Sequence, residues 1–119
     1  MKNIVLNLLV LRSRNMEKLK LFYGSIGIEF TIERHGEGSV HYAAQLDNAV
    51  FEIYPCRQDE QPDNCRLRLT VESLADCVKQ LNLTDAKIIS EPMELNGYLR
   101  TVVEDPERRK VELRQPLYA

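Results

Sequence analysis

No apolar run in the sequence approaches the roughly 20 residues needed to cross a bilayer, and the opening Met1-Lys2-Asn3-Ile4 leads into a strand-like stretch instead of a signal sequence. A membrane partner is not expected, and cytoplasmic residence is the default. Charge of one sign is not in excess either: 16 Lys and Arg against 18 Asp and Glu give a formal net charge of -2. That balance lacks the clustered basic footprint favoured by nucleic acid or an anionic membrane. Cysteine is scarce. Cys56, Cys65 and Cys77 are odd in number and without the short paired spacing of a zinc knuckle, so they read as reduced thiols in a reducing compartment. With 119 residues there is no room for a second independent domain, but 44% hydrophobic residues suffice for one core.

What is present is an order of elements that occurs twice. Residues 4 to 12 form a nearly continuous aliphatic run of strand length, as for a strand covered on both faces. Asn15 then caps a helix with Glu17 in its first turn, Met16, Leu19, Phe22 and Tyr23 fall at helical spacing, and Gly24 with Gly27 marks the exit. Strands are predicted over roughly Ile28 to Arg34, Ser39 to Leu46 and Ala49 to Pro55, separated by His35-Gly36-Glu37-Gly38 and Asp47-Asn48. This is a βαβββ module, about residues 1–56. A polar linker over 57–64 follows, and module two, about 65–119, repeats the order. Arg66 to Val71 is its first strand, and Ser73 caps a helix whose stripe is Leu74, Cys77, Val78 and Leu81. Three more strands fit Ile88 to Met93, Tyr98 to Glu104 and Lys110 to Gln115.

The modules agree in detail. Glu52 lies between Phe51 and Ile53 as Glu112 lies between Val111 and Leu113, each glutamate facing away from its apolar neighbours. Leu67, Leu69 and Val71 likewise alternate with Arg66, Arg68 and Thr70. One face of each sheet therefore meets a helix and the other something polar. The expected architecture is a single α+β domain over residues 1–119, in which two tandem βαβββ modules form a curved eight-stranded mixed sheet around a polar cleft. Phe22 and Leu113 are expected in its core.

The stretch from Leu8 to Phe30, with its Phe22-Tyr23 pair and Ile26-Gly27-Ile28 segment, resembles the opening strand and helix of the glyoxalase/bleomycin-resistance (vicinal oxygen chelate) superfamily. The end is similar to the same family's Asp-Pro turn and glutamate-bearing last strand, here Asp105-Pro106 and Glu112. With the duplicated module, the resemblance covers nearly the whole chain. It implies a small-molecule cleft, commonly a divalent metal held by His, Gln and Glu, and pairing into a homodimer.

Aligned without gaps from the helix starts, the family's four metal positions fall on Leu8, Glu52, Arg66 and Glu112. A leucine has no donor atom and an arginine is a permanent cation, so no metal and no cofactor are expected in the cleft. Arg66 is expected within salt-bridge reach of Glu52 or Glu112, in its own subunit or in the partner, either as part of a ligand-binding constellation or as an internal salt bridge that neutralises two half-buried carboxylates. His35, at a glycine-rich turn, reads as an exposed loop residue. His41 alternates with Tyr42 on a strand and is a candidate ligand contact or general base, and Tyr54 shares the Glu52 face.

The leading functional expectation is metal-independent binding of a small polar or cationic organic molecule, with Arg66, Glu52, Glu112, His41, Tyr54 and Arg68 as ligand contacts. The alternative is a glyoxalase-like lyase or isomerase, related to lactoylglutathione lyase, in which Glu52 or Glu112 abstracts the proton and Arg66 steadies the enediolate. A third reading is a structural or regulatory module whose cleft is vestigial.

Overall fold

The computed structural model describes residues 3–118. The element order is β1 (Leu8–Ser13), α1 (Met16–Ile26), β2 (Thr31–Glu33), β3 (His41–Gln45), β4 (Val50–Pro55), β5 (Leu67–Thr70), α2 (Leu74–Leu81), β6 (Lys87–Leu95), β7 (Tyr98–Glu104) and β8 (Lys110–Pro116). This is the doubled βαβββ order read from the sequence. The eight strands form two four-stranded mixed sheets, β1-β4-β3-β2 and β5-β8-β7-β6. The chain divides into two compact units between Asp63 and Asn64, with Ser25–Gly27 grouped with the second.

In the first module β1 runs parallel to β4, and β4 pairs antiparallel with β3 and β3 with β2. A parallel neighbour requires a crossover, which α1 supplies. Asn15 starts the helix, its side-chain oxygen accepting from the Lys18 amide at 3.1 Å. The helix buries Leu19, Phe22 and Tyr23, and Tyr23 meets Phe51 of β4 at 5.0 Å between ring centroids. Leu11, Phe51 and Ile53 complete a dry core with no exposed surface. Each such side chain contributes about 1.5–3 kcal/mol through burial.

One expectation needs correcting. The aliphatic run does not become strand along its whole length. Ile4, Val5 and Leu6 are 88%, 65% and 78% exposed, and β1 begins only at Leu8. The cause lies in the partner strand: β4 begins at Val50, which pairs with Leu8, so residues 4–6 extend beyond it.

The second module repeats the plan. Ser73 caps α2, its hydroxyl accepting from the Asp76 amide at 3.1 Å, and Leu74, Cys77 and Leu81 are buried. Burial raises the Cys77 thiol pKa above its ordinary value, and the Asp76 charge adds to this. The sheet presents Val103, Val111 and Leu113, none of them exposed. Phe22 at 5% and Leu113 at 0% exposure are both core residues, as their phases predict.

Candidate functional site

Each sheet has an apolar face and a polar face, and the strand registers decide what the polar faces carry. In the first module Arg12 is paired with Tyr54, and Tyr42 with Ile53, which places His41 beside Tyr54. Glu33 is paired with His41. Arg12, Tyr54, His41 and Glu33 thus form one row across all four strands. The contacts follow: the Arg12 guanidinium carbon lies 5.0 Å from the Tyr54 ring centroid, and Tyr54 stacks on His41 at 4.1 Å with 9° between planes. The Tyr54 ring is therefore already engaged by Arg12 and His41. Burial raises its phenol pKa above the ordinary value; the Glu52 charge adds to this, and Arg12 opposes it. Glu52, one row away, is paired with Ala43, and its Oε2 lies 3.5 Å from His41 Nε2.

The second module carries a different polar face. Arg68 is paired with Glu112, and Arg100 with Arg114. Glu112 accepts from Arg68 Nε at 2.9 Å and from Arg100 Nη2 at 3.1 Å. Burial by itself would raise the Glu112 pKa. The hydrogen bonds and charges of Arg100 and Arg68 more than offset this and hold the carboxyl below its usual range. Arg114 lies 3.9 Å over the Tyr98 ring centroid. Arg68, Leu95, Asn96, Tyr98, Arg100, Glu112 and Arg114 line a pocket of about 210 Å³. A larger cavity of about 570 Å³ borders α2, lined chiefly by apolar side chains including Leu74, Val78, Leu83, Pro92 and Leu99.

Within the chain, Arg66 is not the cation on Glu112. It is exposed and precedes β5, and the cations on Glu112 are Arg68 and Arg100. Counting from the helix start stopped two residues short of the ladder partner, because β5 begins at Leu67 and aligns Arg68 with Glu112. Arg68, Glu112, His41, Glu52 and Tyr54 lie on polar faces. Arg12, Glu33, Arg100, Arg114 and Tyr98 are additions. The last three were accessible through alternation, since Arg114 is two residues from Glu112, and Tyr98 and Arg100 share one phase of β7.

The family's metal positions fail on chemistry. Leu8 is a hydrocarbon, Arg66 a cation, and Glu112 is already neutralised by two guanidiniums. The residues paired in register with the two glutamates, Val10 and Arg68, offer no donor either. This tetrad does not fit a metal.

No protein-family model and no curated protein matches the sequence. Solved structures do match. A glyoxalase family protein from Bacillus cereus superposes with a TM-score of 0.78 at 14% identity, covering 98% of this chain and 97% of that one. The antibiotic-binding protein TnmS3 from Streptomyces sp. CB03234 gives 0.76 at 17% identity, covering 98% of each chain. A glyoxalase/bleomycin resistance protein/dioxygenase family enzyme from Burkholderia phytofirmans gives 0.72 at 14% identity, covering 96% of this chain and all of that one. The chain therefore shares its fold with these three proteins, the fold that the sequence resemblance implied.

Proposed function

We propose that this chain is a cytoplasmic small-molecule-binding protein of the glyoxalase/bleomycin-resistance type, acting as a homodimer. It takes its ligand without a metal in the pocket on the polar face of the second module. The observation that carries this reading is the ring of Arg68, Arg100 and Arg114 with Glu112 and Tyr98 around about 210 Å³. Three guanidiniums against one carboxylate leave an excess of positive charge, so of the polar or cationic ligands expected from sequence the pocket favours a polar one bearing a carboxylate or another electron-rich acceptor. Tyr98 supplies an aromatic surface beside the arginines. An antibiotic-binding neighbour of the same fold supports binding as the function class. The lyase alternative loses ground at Glu112, since a carboxylate stabilised in its charged form by two arginines is a poor proton acceptor.

A thermal-shift screen of matched carboxylate-bearing and cationic aromatic compounds tests this. A ligand of the native state raises the melting temperature by mass action. Carboxylates are expected to stabilise the wild type, and Arg114→Ala is expected to abolish that shift. A wild-type response confined to cations, or an undiminished response in Arg114→Ala, would remove the basis for this pocket.

A further inference from the structure

The first module holds a cluster that the pocket above does not use. Between β2 and β3 the chain turns at Gly36, whose φ of +58° suits glycine, and the Gly38 amide donates to the His35 carbonyl at 2.9 Å. This turn brings His35 back over the sheet, 5.4 Å from His41 between ring centroids. Glu33 Oε1 then lies 3.3 Å from His35 Nε2 and 3.4 Å from His41 Nε2. One ligand atom from each of Glu33, His35 and His41 falls within 4.8 Å of the other two.

His41 makes the cluster more than a coincidence of polar groups. The residue is 1% exposed. Its Nδ1 lies 3.1 Å from the Ser39 carbonyl; a carbonyl only accepts, so Nδ1 carries the proton and donates. Nε2 is buried without a hydrogen-bond partner among the described residues. In the neutral ring that atom is a lone pair 3.4 Å from Glu33 Oε1 and 3.5 Å from Glu52 Oε2, an arrangement that costs free energy unless a proton or a metal cation stands there. Fixing one imidazole nitrogen through a backbone carbonyl and leaving the other bare is the usual preparation of a histidine metal ligand.

We propose that Glu33, His35 and His41 bind a divalent transition metal of the zinc class, three protein ligands that leave the fourth position to solvent or a ligand. The spacing suits it. A tetrahedral ion with bonds of about 2.0–2.2 Å to nitrogen and oxygen has edges of about 3.3–3.6 Å between ligand atoms. The separations of 3.3 Å between Glu33 and His35 and 3.4 Å between Glu33 and His41 fall in that range. Both are long for charge-assisted hydrogen bonds, which close to about 2.7–2.9 Å. Imidazole with carboxylate is also the donor chemistry that zinc, nickel and copper accept. None of the three is among the family's four positions, so this site is separate from the tetrad at Leu8, Glu52, Arg66 and Glu112 and from the second module's pocket.

The test is calorimetric titration of ZnCl2 into untagged, EDTA-stripped full-length protein. One equivalent is expected to bind. His35→Ala and Glu33→Gln, at exposed and half-buried positions where folding is checked by circular dichroism, are each expected to weaken binding at least tenfold. Substitution with cobalt(II) should give a spectrum without a thiolate-to-metal charge-transfer band, separating this site from one built on Cys56 or Cys65. The assignment is overturned by absence of zinc binding to the wild type, by unchanged affinity in both variants, or by a thiolate band. Failure of the carboxylate screen would not touch it, since the two experiments read different modules.

Discussion

Glu112 shows how one side chain can link stability to chemistry. The residue is 6% exposed and its carboxylate is held by two arginines. Because its folded-state pKa is depressed, the stability it contributes is fully present above the unfolded value of about 4.3 and is lost as pH falls through the lower folded value. Arg100→Ala removes one of the two partners and leaves burial in place. Losing a hydrogen bond to a charged group costs about 1.5–3 kcal/mol. Urea denaturation at pH 7 should therefore show Arg100→Ala less stable by that amount. As pH falls below the unfolded value the gap should narrow, because the stability held in the charged carboxylate is lost. A gap independent of pH would mean that Arg100 stabilises by packing alone. Glu104 shares the direction, its pKa lowered first by the hydrogen bond from Lys110 Nζ at 2.6 Å, so wild-type stability should fall on acidification in any case.

At the scale of elements, the turn from Glu104 to Lys110 carries a feature that composition conceals. Arg109 is 1% exposed and Asp105 3%. The Asp105 carboxylate accepts from the Glu107 amide at 2.8 Å, the Arg109 amide at 3.0 Å and Arg109 Nη1 at 3.1 Å. Arg108 takes a φ of 71° to close the turn, so the Asp-Pro segment is a folded anchor between β7 and β8. Asp105→Ala would leave a buried guanidinium short of its counter-charge and a turn short of its acceptors, with a cost of about 3–5 kcal/mol. Chemical denaturation reads this directly, and a loss under 1 kcal/mol would show that Glu107, 3.3 Å from Arg109 Nη1, suffices alone. The sequence marked the Asp105-Pro106 turn but not the burial of Arg109, because the second consequence depends on tertiary packing. Period-two alternation made the apolar and polar faces legible at Glu52, Glu112 and Arg68. The row joining Arg12, Tyr54, His41 and Glu33 was not legible, since it depends on the lateral register of four strands, which alternation within one strand leaves open. The same limit explains Arg66: alternation placed it with Leu67 and Leu69 in a strand, but the ladder began one residue later.

Across the whole molecule, each module has about 60 residues, a size at which a core buries too little surface for comfortable stability. The proposal of one domain over residues 1–119 rests on that argument. It also gives meaning to the apolar surface at the start of the chain. Ile4, Val5, Leu6 and Leu8 are 88%, 65%, 78% and 50% exposed, adjoining β1, an edge strand of its sheet. A contiguous apolar segment beside an open edge invites either a partner or aggregation. A second copy of the chain is the partner that the homodimer reading supplies, and a twofold axis would let both copies cover this segment at once. Sedimentation equilibrium of the wild type at micromolar concentration should give twice the chain mass of 13.8 kDa. The pair Ile4→Asp and Leu6→Asp, placed where no core contact is disturbed, should shift the protein to the monomer without lowering its helix content. A wild type that sediments at 13.8 kDa would rule out the dimer. A double variant that still pairs would move the interface away from the first strand and leave the exposed segment to be covered by something else.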